Sequence, residues 1–353
     1  MQSSATNLMR VLVVDDSVLY RKILSDILAE MPGIEVMGTA ANGKIALGKI
    51  ERTPPDLVTL DVEMPIMDGL ETLEHIKKHS PNVQVLMVSS HTAIGVNTTL
   101  EALSLGAFDF ITKPKENDWK ANQENLRTQL KDKLSSRVPT TTPILPPRAA
   151  RPTAPQRPLT ALVRIDLVAI GISTGGPKAL AEVIPALPGS LRVPIVIVQH
   201  MPTMFTSALA QSLDSQSIVK VVEATTGLPL QPATVYIAPG GKQMRLAKQG
   251  ALTTIEITDD PPENFCKPAV DYLFRSVAEI YGSRGLGVIM TGMGADGTQG
   301  LRAMKQQGSP VMAQDEATCV VYGMPQEAVK AGVVDTVLPL NKIAGEIARI
   351  CTP

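Results

Sequence analysis

One pattern runs through the chain twice: a short unbroken run of apolar residues stops abruptly at polar ones, and a longer stretch with helical apolar spacing follows. Residues 11–14 stop at Asp15 and Asp16, residues 56–60 at Asp61, residues 83–88 at Ser89 and Ser90, and residues 108–111 at Thr112, Lys113 and Pro114. Runs that do not alternate mark strands buried on both faces, and their alternation with helices predicts a parallel sheet in an α/β fold. The pattern resumes at residues 167–170, 193–198, 235–238, 285–290, 309–313 and 333–338. Residues 252–258 predict a further strand in a hairpin after Gly250. Residues 179–187, 270–281 and 342–351 predict helices, as does the stretch from Gly300 to Gln307. Between the two repeats, residues 127–160 lose the pattern: 126–134 read as the tail of a helix, and the stretch after it fills with Pro and Thr, the composition of an extended tether. Arg148, Arg151 and Arg157 in that stretch read as solvated charges, with contact to a partner as the alternative. The expected organisation is therefore two doubly wound α/β units, 1–126 and 161–353, joined by that linker, the second with a mainly parallel sheet.

Open α/β sheets bind ligands outside the carboxyl ends of their strands, so the residues at which the runs stop are the candidates for chemistry. In the first unit, Asp15 or Asp16 with Asp61 offers hard oxygen ligands of the kind Mg²⁺ takes. Lys113 would add positive charge against a phosphoryl group, Asp61 could attack a phosphodonor, and Ser89 could hydrogen-bond the new phosphoryl oxygens. The alternative is that each acid caps the helix that follows it.

In the second unit the central stretch is L-V-A-I-G-I-S-T-G-G-P, residues 167–177. A strand entering a tight glycine turn and then a helix lifts a serine out of the sheet edge, and residues 171–175 satisfy G-x-S-x-G around Ser173. The alternative is a turn that cradles a phosphate. The chain has four histidines, His75, His79, His91 and His200, and only His200 falls in the second unit, at the end of an apolar run. Asp296 follows another run through a glycine-rich loop, with Asp315 as a rival. Ser173, His200 and Asp296 thus supply a nucleophile, a base and an orienting carboxylate. The backbone amides of Thr174 and Met293 are the candidate oxyanion donors. The order Ser, His, Asp differs from that of α/β-hydrolases, so the G-x-S-x-G match does not imply kinship with them.

Composition narrows the classes. With 353 residues, 44% hydrophobic and 3% aromatic, the chain can build two aliphatic cores. A net charge of −1 and no basic helix-turn-helix pattern speak against nucleic acid. The turn at 171–176 is not G-x-G-x-x-G and no Walker lysine follows it, which counts against a nucleotide site. Cys266, Cys319 and Cys351 have no metal-ligand spacing and read as reduced thiols. Residues 1–10 lack a signal-peptide core and no apolar run spans a bilayer, so the expected location is the cytoplasm, without membrane insertion.

The first unit resembles the receiver domain of bacterial response regulators through V-V-D-D-S, L-D-V-E-M-P-I-M-D-G-L, V-S-S and F-I-T-K-P. That resemblance implies a flavodoxin-like fold, Asp61 as phosphoacceptor, Asp15 and Asp16 with Asp61 at a Mg²⁺ site, and Ser89 and Lys113 as phosphate-sensing partners. Phe110 stands where a switching tyrosine is frequent. The second unit resembles the catalytic domain of chemotaxis protein-glutamate methylesterases through I-G-I-S-T-G-G-P, V-Q-H-M-P, A-P-G-G, K-P-A-V-D-Y-L-F-R-S-V-A, M-T-G-M-G-A-D-G and V-Y-G-M-P. It implies Ser173 as nucleophile, His200 as base and Asp296 as orienter, acting on glutamyl methyl esters of chemoreceptors, with glutamine deamidation by the same chemistry and no cofactor for hydrolysis. It also implies a chemotaxis histidine kinase as phosphodonor. The tandem layout and the tether lead to the expectation that the unmodified receiver obstructs the site and that phosphorylation of Asp61 uncovers it. Two positions depart from the pattern, Gln243 where histidine often stands and Cys319 where serine is common.

Overall fold

The computed structural model describes residues 8–90, 92–114, 119–134, 164–250 and 252–351. His91, the three linker arginines and most of the expected linker lie outside these residues. The chain divides into two units, one before and one after the Arg151–Pro152 bond.

The first unit runs β1 (Met9–Val14), α1 (Val18–Ala29), β2 (Ile34–Ala40), α2 (Gly43–Arg52), β3 (Leu57–Asp61), α3 (Gly69–His79), β4 (Gln84–Ser89), α4 (Ala93–Leu105), β5 (Asp109–Thr112) and α5 (Trp119–Leu134). Its strands pair in parallel in the order β2-β1-β3-β4-β5, the flavodoxin-like arrangement. The order reverses at β1, so the ends of β1 and β3 open side by side at the switch point. Helix starts follow side-chain caps: Ser17, Asn42 and Thr92 each accept an N–H of their helix, and Asp68 forms a capping box with Glu71. Helix α5 carries the unit past residue 126 to Leu134, because Leu126, Leu130 and Leu134 recur at helical spacing and are fully buried. Gln129 fastens it to β5, accepting from Thr112 N–H at 2.8 Å and donating to Thr112 O at 3.0 Å.

The second unit runs β6 (Leu167–Ile172), α6 (Gly176–Val183), β7 (Ile195–Gln199), α7 (Phe205–Gln216), β8 (Lys220–Glu223), β9 (Thr234–Ile237), β10 (Gln243–Gln249), β11 (Leu252–Thr258), α8 (Val270–Tyr281), β12 (Gly285–Ile289), α9 (Thr298–Gln306), β13 (Val311–Gln314), α10 (Met324–Lys330), β14 (Thr336–Leu338) and α11 (Leu340–Cys351). Seven strands pair in parallel in the order β14-β13-β12-β6-β7-β9-β8, and β10 and β11 form a separate antiparallel hairpin. Helix α6 stops at Val183 rather than continuing to Leu187, because Pro185 has no N–H to extend it. Every residue of β6, β7 and β12 is buried, which is why these strands read as continuous apolar runs. The core joins them to the apolar face of α8, through Val270, Leu273, Phe274 and Val277, and to Met244 and Leu246 of the hairpin.

Candidate active site

Strands β12, β6 and β7 are neighbours at the centre of the second sheet, and the loops after them carry Asp296, Ser173 and His200. Ile172 and Gln199 are register partners, so Ser173 and His200 follow at matched positions. Ser173 N–H donates to Thr291 O at 2.9 Å, and its carbonyl accepts from Gly176 N–H at 2.7 Å and from the buried Gln199 amide at 3.0 Å. The same Gln199 Nε2 donates to His200 O at 3.2 Å, so one side chain ties the serine turn to the histidine turn. Gly175 adopts φ +77° as α6 begins, and a Cβ on Gly292 would stand 2.8 Å from Ser173 Cβ. Glycine is required at both places. Thr174 N–H meets no acceptor among the described residues, at the positive end of α6.

His200 Nε2 donates to Asp296 Oδ2 at 2.8 Å, and its Nδ1 faces Cys266 Sγ at 3.5 Å. Asp296 Oδ2 also accepts Val270 N–H at 2.7 Å, while Oδ1 accepts Asp271 N–H at 3.0 Å, Asn264 Nδ2 at 2.9 Å and Gly297 N–H at 2.9 Å. Val270 and Asp271 open α8, so this carboxylate caps α8. It does not cap α9, whose N-cap is Gly297. Burial opposes the charge on Asp296, but the bonds from His200 and the α8 amides hold its carboxyl below the usual range. Burial likewise opposes the His200 imidazolium, yet the bonds to Asp296 and Cys266 outweigh it and raise the ring to about 9. The rival Asp315 is spent on its own turn, accepting from Thr318 N–H at 3.0 Å and Thr318 Oγ1 at 2.6 Å. Among the described residues the Ser173 hydroxyl makes no hydrogen bond to His200. Such bonds commonly tighten only when substrate is present.

At the edge of the first sheet, Asp15 and Asp61 are buried, and Lys113 Nζ lies 2.9 Å from Asp15 Oδ2 and 2.8 Å from Asp61 Oδ2. Burial, followed by the charge of Asp15 and opposed by Lys113, pushes Asp61 up to about 6. Burial raises Asp15 as well. Burial works against the Lys113 ammonium, but Asp61 and Asp15 overcome it and hold the amine charged. Oxygens of Asp15, Asp16 and Asp61 lie within 4.8 Å of one another. Asp15 Oδ2 is buried, and the Lys113 ammonium 2.9 Å away is the group that faces it. An all-carboxylate set of hard oxygen donors fits Mg²⁺. Ser89 ends β4 beside Asp61, but its hydroxyl is engaged with α4, donating to Gly95 O at 3.2 Å and accepting from Thr99 Oγ1 at 2.7 Å. Phe110 is buried within β5. His200, Cys266 and Asp296 also bring ligand-type atoms within 4.8 Å, but both Asp296 oxygens are filled by N–H donors, which leaves no free carboxylate oxygen for a cation.

Residues 168–347 match the family described as CheB methylesterase, and residues 11–123 match the response regulator receiver domain. The protein-glutamate methylesterase/protein-glutamine glutaminase of Desulfotalea psychrophila (strain LSv54 / DSM 12343) is 50% identical over 356 residues, covering 97% of this chain and 98% of that protein. The chain belongs to the CheB methylesterase family. The like-named protein of Trichodesmium erythraeum (strain IMS101) is 46% identical, over 96% of this chain and 98% of its own length. The crystal structure of the Thermotoga maritima CheB methylesterase catalytic domain is 44% identical with a TM-score of 0.52, covering 53% of this chain and 100% of that one.

The roles of four residues of this CheB-family site escape a reading of the sequence alone. Gln199 looks like a strand end, and Asn264 looks like loop; their roles appear only when distant carbonyls and carboxylates converge on them. Gln243 is fully buried, donating to Pro261 O at 3.1 Å and Cys266 O at 3.4 Å and accepting Ala269 N–H at 2.8 Å. It therefore reaches the site through the segment that carries Cys266. Cys266 itself had no spacing signal to mark it. By contrast, burial pushes the Cys319 thiol up to about 12.

Proposed function

We propose that this chain is a phosphorylation-activated hydrolase that demethylates glutamyl γ-methyl esters on chemoreceptors and deamidates glutamines at such sites. The observation that carries the proposal is the 2.8 Å His200–Asp296 pair set beside Ser173 on adjacent strand ends. Asp296 holds Nε2, so Nδ1 is the nitrogen that takes the Ser173 proton as Oγ attacks the ester carbonyl. The Thr174 and Met293 amides receive the developing oxyanion. The intermediate collapses to an acyl-enzyme as His200 returns the proton to the departing methanol, or to ammonia from a glutamine. Water, deprotonated by His200, then releases glutamate.

In the first unit Asp61 is the phosphoacceptor, and Lys113 balances the new negative charge. Asp15, Asp16 and Asp61 would hold Mg²⁺, which when bound neutralises phosphoryl oxygens. Ser89 joins those oxygens by leaving its α4 partners. Phosphorylation by a chemotaxis histidine kinase relieves inhibition of hydrolysis in the cytoplasm. No described helix is long and apolar enough to cross a membrane. The test is methanol release from methylated receptor membranes, with and without acetyl phosphate and Mg²⁺. Release should rise with the phosphodonor and vanish in Ser173→Ala; release indifferent to Ser173→Ala overturns the mechanism.

A further inference from the structure

Cys266 is held against the catalytic imidazole by a turn that is fastened along its length. Glu263 N–H donates to Cys266 O at 3.0 Å and Cys266 N–H to Glu263 O at 2.8 Å. Arg275 clamps Glu263 with two bonds of 2.6 Å each. Asn264 bonds both Asp271 Oδ2 and Asp296 Oδ1 at 2.9 Å, and Gln243 holds Cys266 O from beneath. Within this frame Asn264 and Phe265 adopt φ +52° and +63°, a strain that persists only where surroundings enforce it. The outcome is an unbroken thiol–imidazole–carboxylate line, Sγ to Nδ1 at 3.5 Å and Nε2 to Oδ2 at 2.8 Å. The sulfur thus has a ring nitrogen within reach of its proton. Cys266 is only half-buried, and its neighbour Phe265 is fully exposed, so small reagents can reach the sulfur. The other two cysteines are poor competitors, since burial pushes both thiols up to about 12.

We propose that Cys266 is a modification site inside the catalytic centre: its sulfur passes its proton to His200 Nδ1, reacts with peroxides, and in doing so stops ester hydrolysis. The sulfur lone pair attacks one peroxide oxygen, the S–O bond forms as O–O breaks, and the departing hydroxide takes the proton held by His200 to leave as water. Sulfur is oxidised by two electrons to the sulfenic acid, and the peroxide is reduced. The enlarged sulfur then occupies the Nδ1 side of the ring, the side the Ser173 proton must reach because Asp296 holds the other nitrogen. One thiol displaces the sulfenic hydroxyl as water, forming a mixed disulfide. A second releases Cys266 and restores the site. The loss of hydrolysis rests on the function proposed above; the sulfur chemistry does not.

The test treats the full chain with hydrogen peroxide, traps sulfenic acid with dimedone for peptide mass spectrometry, and divides each variant's hydrolysis rate by its own untreated rate. Cys266 should label at least about tenfold faster than Cys319 or Cys351. Hydrolysis by the parent should fall about tenfold and recover with dithiothreitol, whereas the ratio for Cys266→Ala should stay near one. His200→Gln, which takes no proton, should slow labelling of Cys266, a change that mere exposure of the sulfur would not produce. Labelling at Cys319 or Cys351 in preference to Cys266, or peroxide inhibition undiminished in Cys266→Ala, overturns the proposal. The labelling arm needs no ester, so it decides the thiol chemistry even if Ser173→Ala shows the hydrolase reading to be wrong.

Discussion

Replacing Gln199 with methionine separates alignment of the site from stability of the fold. Gln199 is 2% exposed, and its amide nitrogen makes bonds of 3.0 Å to Ser173 O and 3.2 Å to His200 O. Methionine keeps the length and removes both. Each neutral bond is worth about 1 kcal/mol, so about 2 kcal/mol is lost. Ser173 O retains its 2.7 Å bond from Gly176 N–H. Against the loss stands Gln199 Oε1, which is buried without a partner; removing such a group returns about 1–3 kcal/mol. The balance should fall within about 2 kcal/mol, a shift in Tm of no more than about 8 °C for a unit of this size. Activity should respond differently, because the two turns lose the only side chain that bonds both backbones, among the described residues, and reacting groups displaced by about 1 Å lose about 100-fold. Thermal melting and initial rates of methanol release would measure both quantities on one preparation. The expected result is a kcat lowered about 10–100-fold with KM nearly unchanged. A Gln199→Met chain with parental kcat would refute the view that this amide aligns the site.

Hydrolysis should rise with pH, because His200 accepts a proton only when neutral and its ring is raised from 6.5 to about 9; kcat/KM should climb about tenfold per pH unit below that value and level above it. Cys266→Ala, lacking one cause of the shift, should level at lower pH, and a pH–rate profile of each would show it. Asp296→Asn should lower kcat by about 10⁴-fold and also destabilise the second unit, because an amide NH₂ on either side faces N–H donors; rates with a melting curve test both. In the first unit, Asp61 is raised from 3.8 to about 6, so folding is favoured while it is protonated and that contribution fades as pH rises from 3.8 through 6. Asp61→Asn should therefore melt higher than the parent at pH 7.5 but not at pH 3.5, and should abolish activation by acetyl phosphate. Mg²⁺ should raise the parental melting temperature at pH 7.5, and chelation should reverse the gain.

Strands buried on both faces were readable and two half-exposed edge strands were not, for one reason. Strands β6, β7 and β12 are buried on both faces and leave continuous apolar runs, so the positions of Ser173, His200 and the loop with Asp296 follow from where those runs stop. Strands β2 and β8 lie at sheet edges; β2 buries only Ile34 and Ala40, and β8 only Val221, so neither leaves such a run. Histidine arithmetic picked out His200, but the nitrogen that faces Asp296, and the thiol on the other, depend on a turn whose shape is fixed by Gln243, Arg275 and Asn264. Those contacts join residues far apart in sequence and leave no periodic trace. The choice of Asp296 over Asp315 was likewise a matter of which carboxylate the start of α8 presents to the ring.

The carboxylate that orients His200 is also the cap of α8, and α8 supplies a large share of the core. Chemistry and architecture therefore draw on one side chain in Asp296 and on separate ones in Ser173. A descendant of this chain that gave up hydrolysis could shed Ser173, the proposed nucleophile, at little structural cost, yet it would still need the acid. In a lineage of such domains, an aspartate surviving at this position would testify to a fold being kept, and only the serine would testify to a reaction.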